Sequence, residues 1–252
     1  MENELPAVLA TAWGLRTRPG KGPRPGLTLD RIVAAGVHVA GTEGLGAVSM
    51  SRVAAELGAA TMSLYRYVAA KNELLDLMVD AAVGPPPALP PGEDWRAGML
   101  RFGRMHLGIL RRHSWIVRVP ITTPPLTPNQ VGWMDHGLEI LAGTTLEEYE
   151  KLSTIMTVSG ITRNWALLTA DITAAAQASG TTADEAMLTY GQLLGKLVDP
   201  RRFPAIGRLL ATGILDVPDD VPDADFEFGL ARVLDGIATL IDRRASGTRA
   251  PN

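Results

Sequence analysis

The stretch SMSRVAAELGAATMSLYRYVAAKNELL, residues 49–75, constrains the fold of this chain more than any other. Val53, Ala54 and Leu57 fall on one apolar stripe at helical spacing. Gly58 follows them, and glycine takes the left-handed C-terminal position of a helix without steric cost. Thr61 is placed to cap a second helix by accepting a hydrogen bond from an orphan N–H. That helix, Met62–Val68, hides Leu64 and Val68 and presents Ser63, Tyr65, Arg66 and Tyr67. A buried helix, a glycine turn and a second helix rich in exposed hydrogen-bonding groups predict a helix-turn-helix. Its second helix has the size to enter the major groove of DNA.

Thr28–Gly44 supplies the helix that steadies this pair. Thr28 is its expected N-cap, and Ile32, Val33, Gly36, Val37 and Ala40 line one face. Gly36 has no side chain, so a crossing helix can approach closely there. Gly41 and Gly44 are the expected stop. Lys71 opens the next helix, with Leu74, Leu75, Met78 and Val79 facing inward. A lysine just past a recognition helix is placed for a backbone phosphate, a contact that positions the protein without specifying sequence.

Five blocks stand in order from Trp13 to Val83: TLDRIV, EGLGAVSM, VAAELG, SLYRYV and KNELL. In order and spacing they resemble the DNA-binding domain of tetracycline-repressor-type (TetR) regulators. The resemblance covers about a third of the chain closely, and extends more loosely to Glu93–Trp115 and the last helix. It implies an all-α fold, with an N-terminal three-helix helix-turn-helix domain and a C-terminal helical bundle for ligand binding and dimerisation. It also carries over Tyr65 and Lys71 as phosphate contacts. The full expected DNA-binding set is Arg52, Thr61, Ser63, Tyr65, Arg66, Tyr67 and Lys71. Within it Ser63, Arg66 and Tyr67 fall where side chains face the groove, and Thr61 is a cap with a possible contact.

The net charge of −3 argues by itself against nucleic acid, but its distribution reverses that. From Trp13 to Lys71 stand Arg16, Arg18, Lys21, Arg24, Arg31, Arg52, Arg66 and Lys71, against only Asp30, Glu43 and Glu56. Fields are screened over about 10 Å at ordinary salt, so charge at the docking surface outweighs the total. The chain has no cysteine, which rules out disulfides, thiolate metal sites and a cysteine nucleophile. No uninterrupted apolar run is long enough to span a membrane, and the start, with Glu2 and Glu4, lacks a signal-peptide pattern. A cytoplasmic protein without a cofactor is expected.

Four regions follow from composition. Residues 1–27 read as a flexible basic arm, because Pro19, Gly20, Gly22, Pro23, Pro25 and Gly26 oppose regular structure. The arm either lies along DNA or is merely a solubilising tail. Residues 28–83 are the helix-turn-helix domain. Residues 84–92 form a proline-rich linker with a stiff, extended path. Residues 93–246 form the ligand-binding and dimerisation domain. There the expected helices are Glu93–His113, a short turn at Ser114–Val119, Thr127 to about Ala142, Thr145 to about Ala178, Thr182 to about Val198, Pro204–Ala211 and Asp223–Arg244. Thr127, Thr145 and Thr182 each begin a capping-box pattern.

The histidines are His38, His106, His113 and His136, and none pairs at the i, i+4 spacing of a metal helix. No serine–histidine–acid set and no phosphate loop can be argued from spacing, so an enzyme is not expected. Tryptophans and methionines cluster in the middle of the C-terminal domain, together with isolated polar groups. The candidate effector site is Phe102, His106, Trp133, Met156, Asn164 and Trp165, taking a small, mostly apolar molecule. Arg163 and Asn164 are polar in an otherwise apolar run. The histidine arrangement that would chelate a magnesium–tetracycline complex is missing, so tetracycline itself is not implied. The resemblance implies a homodimer through the Glu147–Ala178 and Asp223–Arg244 helices, a palindromic operator on double-stranded DNA, and release by an effector. The alternative is a constitutive dimeric DNA-binding regulator with no small-molecule effector.

Overall fold

Thr28 begins the first long helix of the reading head by accepting the Arg31 N–H at 3.2 Å through its side-chain oxygen. The structure is a computed structural model that describes residues 6–15, 27–121, 124–217 and 223–246. All regular structure among the described residues is helical. The head holds α1 (Ala7–Ala12), α2 (Leu29–Glu43), α3 (Met50–Glu56), α4 (Thr61–Leu64) and α5 (Lys71–Val83). The C-terminal part holds α6 (Trp95–Arg112), α7 (Pro128–Leu141), α8 (Glu148–Ala178), α9 (Ala183–Leu197), α10 (Pro204–Leu210) and α11 (Ala224–Ala245). Single 3₁₀ turns lie at Leu45–Ala47 and Ser114–Arg118.

The core of the head is Ile32, Val39, Val53, Ala54, Leu64, Val68, Leu74 and Met78, none of them exposed. Gly36 makes the crossing of α2 and α5 possible, since a Cβ there would sit 2.6 Å from Met78 Sδ. Gly58 adopts φ +62°, as the turn after α3 requires. In the C-terminal part α6 runs against α8, and α11 packs on both. Phe102, Phe226, Leu230 and Leu234 are sealed between them.

Several boundaries differ from the sequence expectations, each for a local reason. Residues Ala7–Ala12 are helical, not part of a featureless arm, and Val8 is buried. The basic residues 16–26 lie outside the described residues. Thr61 does not cap α4: Ala60 occupies that position, and its carbonyl accepts the Ser63 N–H at 2.8 Å. The helix expected over Met62–Val68 is a single α-turn that continues as hydrogen-bonded turns through Tyr67.

Thr127 precedes α7 but its side chain accepts no capping bond, because the Asp80 carboxylate from α5 takes its place and accepts the Asn129 and Gln130 N–H groups. The long helix is capped by Glu147 with Glu150 in a reciprocal box, not by Thr145, whose hydroxyl bonds the Ile241 carbonyl instead. The Thr182–Glu185 box forms as expected. The start of the linker is held on α7, where Trp133 Nε1 donates to the Gly84 carbonyl at 2.9 Å.

Candidate nucleic-acid interface and effector cluster

The reading surface is built on the face of α4 that the core does not claim. Leu64 and Val68 anchor it from below. Above them Tyr65 and Arg66 are exposed and Ser63 is half-buried. Met62, absent from the expected set, is 75% exposed. It carries no hydrogen-bonding group to mark it in the sequence, and only the direction of α4 shows that it faces outward. Lys71 is the first residue of α5 and is exposed beside this surface. A hollow of about 430 Å³, bordered by Arg31, Gly58, Ser63 and Arg66, lies along the same edge.

Two residues expected at the interface have other partners. Tyr67 is half-buried, and its hydroxyl donates to the Leu27 carbonyl at 2.9 Å, so it ties α4 to the entry of α2 instead of facing a groove. Arg52 is clasped by two carboxylates, Glu43 at the end of α2 and Glu56 one turn on at 2.9 Å. Hydrogen bonding from Arg52 holds the Glu43 carboxyl below its usual range. The charge of Arg52 is thus answered within the head, where it braces α2 against α3. Arg66 and Lys71 have no acidic partner among the described residues and keep their charge for solvent or ligand.

In the C-terminal part the expected effector residues separate. Met156 is 66% exposed and Asn164 is exposed, because both lie on the outer face of α8. They do not join the cluster. Arg163, beside Asn164, turns inward: its guanidinium donates to the carbonyls of Val117 at 2.7 Å and Val119 at 2.9 Å, closing the Ser114–Arg118 turn. Trp165 packs on Phe226, with ring centroids 6.4 Å apart, away from the other rings.

Phe102, His106 and Trp133 do come together, and His136 joins them. The ring centroids of Phe102 and His106 are 4.3 Å apart, those of His106 and Trp133 4.5 Å, and those of Trp133 and His136 5.6 Å. His136 was missed because its neighbours come from α6 as well as from its own helix. Burial drives the His106 pKa down to about 4, and burial also lowers that of His136. Both rings are therefore neutral at pH 7, each with one donor and one acceptor nitrogen. His136 Nε2 is sealed from solvent with no hydrogen-bond partner. His106 Nδ1 is sealed too; the Phe102 carbonyl one turn back favours its protonation but makes no full hydrogen bond to it. A buried polar atom without a partner costs about 1–3 kcal/mol, so each such atom calls for an explanation.

The cluster and the head are mechanically joined. Asp80 of α5 caps α7, the helix that carries Trp133 and His136. The Ser114–Arg118 turn, held by Arg163, rests on α2. Among the described residues no helix is long and apolar enough to cross a membrane, and no cluster of three or more potential metal ligands occurs.

A helix-turn-helix head with an exposed recognition turn, mounted on a larger helical bundle, defines a DNA-binding transcriptional regulator. Residues 32–78 match the model of the bacterial regulatory proteins of the tetR family, and residues 86–241 match the tetracyclin repressor-like C-terminal domain. The chain belongs to the TetR family of transcriptional regulators. It is 37% identical over 254 residues to the HTH-type transcriptional repressor DrrR1 of Streptomyces coeruleorubidus, spanning 98% of this chain and 90% of that protein. It resembles the TetR family protein ActR of Streptomyces coelicolor, solved in complex with actinorhodin, with TM-score 0.71 and 27% identity over 87% of this chain and 98% of that one. Apo ActR matches with TM-score 0.70 over 85% of this chain and 96% of its own length, again at 27% identity.

Proposed function

We propose that this protein is a homodimeric repressor that binds a palindromic operator through Met62, Ser63, Tyr65, Arg66 and Lys71, and that a small, largely apolar aromatic effector releases it. Tyr65 and Lys71 position the head on phosphates, while Ser63, Arg66 and Met62 meet base edges. Exposed apolar side chains on α8 and α11, Met156 at 66% and Phe228 at 64%, supply the face that a second copy covers.

The observation that carries the sensing part is the pair of sealed, unpartnered ring nitrogens, His106 Nδ1 and His136 Nε2, set among Phe102 and Trp133. A planar molecule with a hydroxyl or carbonyl edge would stack on the rings and satisfy these nitrogens. That the similar ActR is solved in complex with actinorhodin supports a small-molecule ligand for this chain as well. Binding acts on DNA only through its differential affinity for two head spacings, so effector and operator affinities must oppose each other by one common factor.

A second reading rests on the packing of the same cluster. Phe102 is 1% and Trp133 5% exposed, so a ligand must displace side chains to enter. A constitutive dimeric regulator has no need of such movement. Tryptophan fluorescence and a gel shift on one set of planar aromatic compounds separate the two readings. Quenching with loss of the operator complex supports sensing. Tight binding that leaves operator affinity unchanged overturns it in favour of the constitutive regulator.

A further inference from the structure

A hollow of about 210 Å³ lies where α1, α5 and the chain leading into α7 meet. Its walls are apolar, with Leu9 of α1, Leu77 of α5 and Pro125 ahead of α7. Its α5 side carries two carboxylates, Glu73 and Asp76. Glu73 already accepts the Ala69 N–H at 2.8 Å, whereas Asp76 has neither an ion pair nor a hydrogen bond among the described residues. Burial and the neighbouring Glu73 both raise the pKa of Asp76, so the site penalises the negative charge it holds. Thr127 also lines it, 3% exposed, with its hydroxyl sealed and unpartnered. With the capping of α7 given over to Asp80, that hydroxyl has no hydrogen bond among the described residues.

We propose that this hollow is a second small-molecule site, separate from the effector cluster, and that it takes a short apolar primary amine. An ammonium group has three donors and no acceptor. The site offers three acceptors to match: Asp76, Glu73 and the Thr127 oxygen. The charge would relieve the repulsion between the two carboxylates, and the alkyl part would cover Leu9, Leu77 and Pro125. A divalent metal fits poorly, because hard cations need more oxygen ligands than two carboxylates and a hydroxyl supply, and the walls are hydrocarbon. The occupant would join α5 of the reading head to the entry of α7, at the same joint that Asp80 closes. The proposal does not depend on the effector reading.

The test uses the full chain without DNA, with n-hexylamine as probe and n-hexanol as its uncharged control. The Trp13 indole N–H donates to the Leu126 carbonyl at 2.8 Å on the wall of the hollow, and its NMR signal reports occupancy. Hexylamine should shift that signal saturably at millimolar concentration and raise Tm, while hexanol does neither. Asp76→Asn should weaken binding about tenfold, one unit charge being lost from the pair. Thr127→Val should be neutral or stabilising without amine, since it removes a buried unpaired hydroxyl, and should weaken amine binding several-fold. An equal response to hexanol, or an unchanged affinity in Asp76→Asn, overturns the amine assignment. No saturable shift with either compound overturns the site itself.

Discussion

Asp80, near the end of α5, reaches across the domain boundary to Asn129 at the start of α7. Its Oδ1 accepts the backbone N–H of Asn129 at 2.9 Å and of Gln130 at 3.0 Å. The Asn129 amide answers by donating to the Asp80 carbonyl at 3.0 Å and to Oδ2 at 3.1 Å. A carboxylate on two orphan N–H groups at a helix N-terminus is favourable both as a cap and as a charge on the dipole. Here the cap comes from the other domain, so rotating the head relative to the bundle must break it.

Asp80→Ala should therefore lower global stability by about 1–2 kcal/mol, the usual cost of losing a cap. Asn129→Ala should cost less, because the backbone N–H groups still reach Asp80. Urea denaturation followed by circular dichroism gives both numbers. Equal losses would mean that the amide, not the cap, holds the joint.

Arg66→Ala should weaken binding to a specific operator by about 1–3 kcal/mol if the side chain meets a guanine. Tyr67→Phe should leave operator affinity nearly unchanged and reduce stability by about 1 kcal/mol, since its hydroxyl bonds the Leu27 carbonyl. Fluorescence anisotropy on specific and random duplexes separates the two effects. A similar loss on both duplexes would move Arg66 to a phosphate.

Lys71→Ala should weaken binding to every sequence and flatten the logarithmic salt dependence by about one unit, because one phosphate contact releases about one counterion. A salt titration with an unchanged slope removes Lys71 from the interface.

The neutral His106 makes stability depend on pH in one window. Its folded pKa of about 4 lies below the ordinary histidine value, so the unfolded chain binds the proton more readily. The contribution is present above the unfolded pKa of about 6.5 and is lost as pH falls toward 4, up to about 3 kcal/mol. His106→Leu should flatten the denaturation midpoint between pH 6.5 and 4 relative to wild type. A slope that persists in the variant assigns the effect to another group, with His136 the next to test.

Phe228→Asp alters an exposed ring on α11 and no core side chain. If α11 forms the interface between copies, the variant should be a monomer by light scattering, keep its helical spectrum and lose most operator affinity, since one head makes too few contacts. A dimeric variant places the interface elsewhere, with the exposed apolar faces of α9 and α10 the alternative.

Much of this was legible in the sequence because local rules act there. Gly58 needed a left-handed turn, Thr28 and Thr182 needed orphan N–H groups to accept from, and Gly36 promised a close crossing. All of these depend on residues a few positions apart or on one helix face, and each appears in the structure. The family resemblance rested on the same local pattern. Only the tertiary structure decided which side chains lose their freedom to distant partners. Tyr67 and Arg52 read as DNA contacts in the local pattern, and only the fold sets Leu27, Glu43 and Glu56 beside them. Met156 and Asn164 stand apart from the buried ring cluster because α8 turns them outward, whereas His136 belongs to it because α6 brings Phe102 and His106 against α7. Thr127 lost its capping role to Asp80, forty-seven positions earlier in the chain. Helix periodicity says which residues share a face. It does not say which face the rest of the chain will cover, because that is settled by the crossing of helices far apart in sequence.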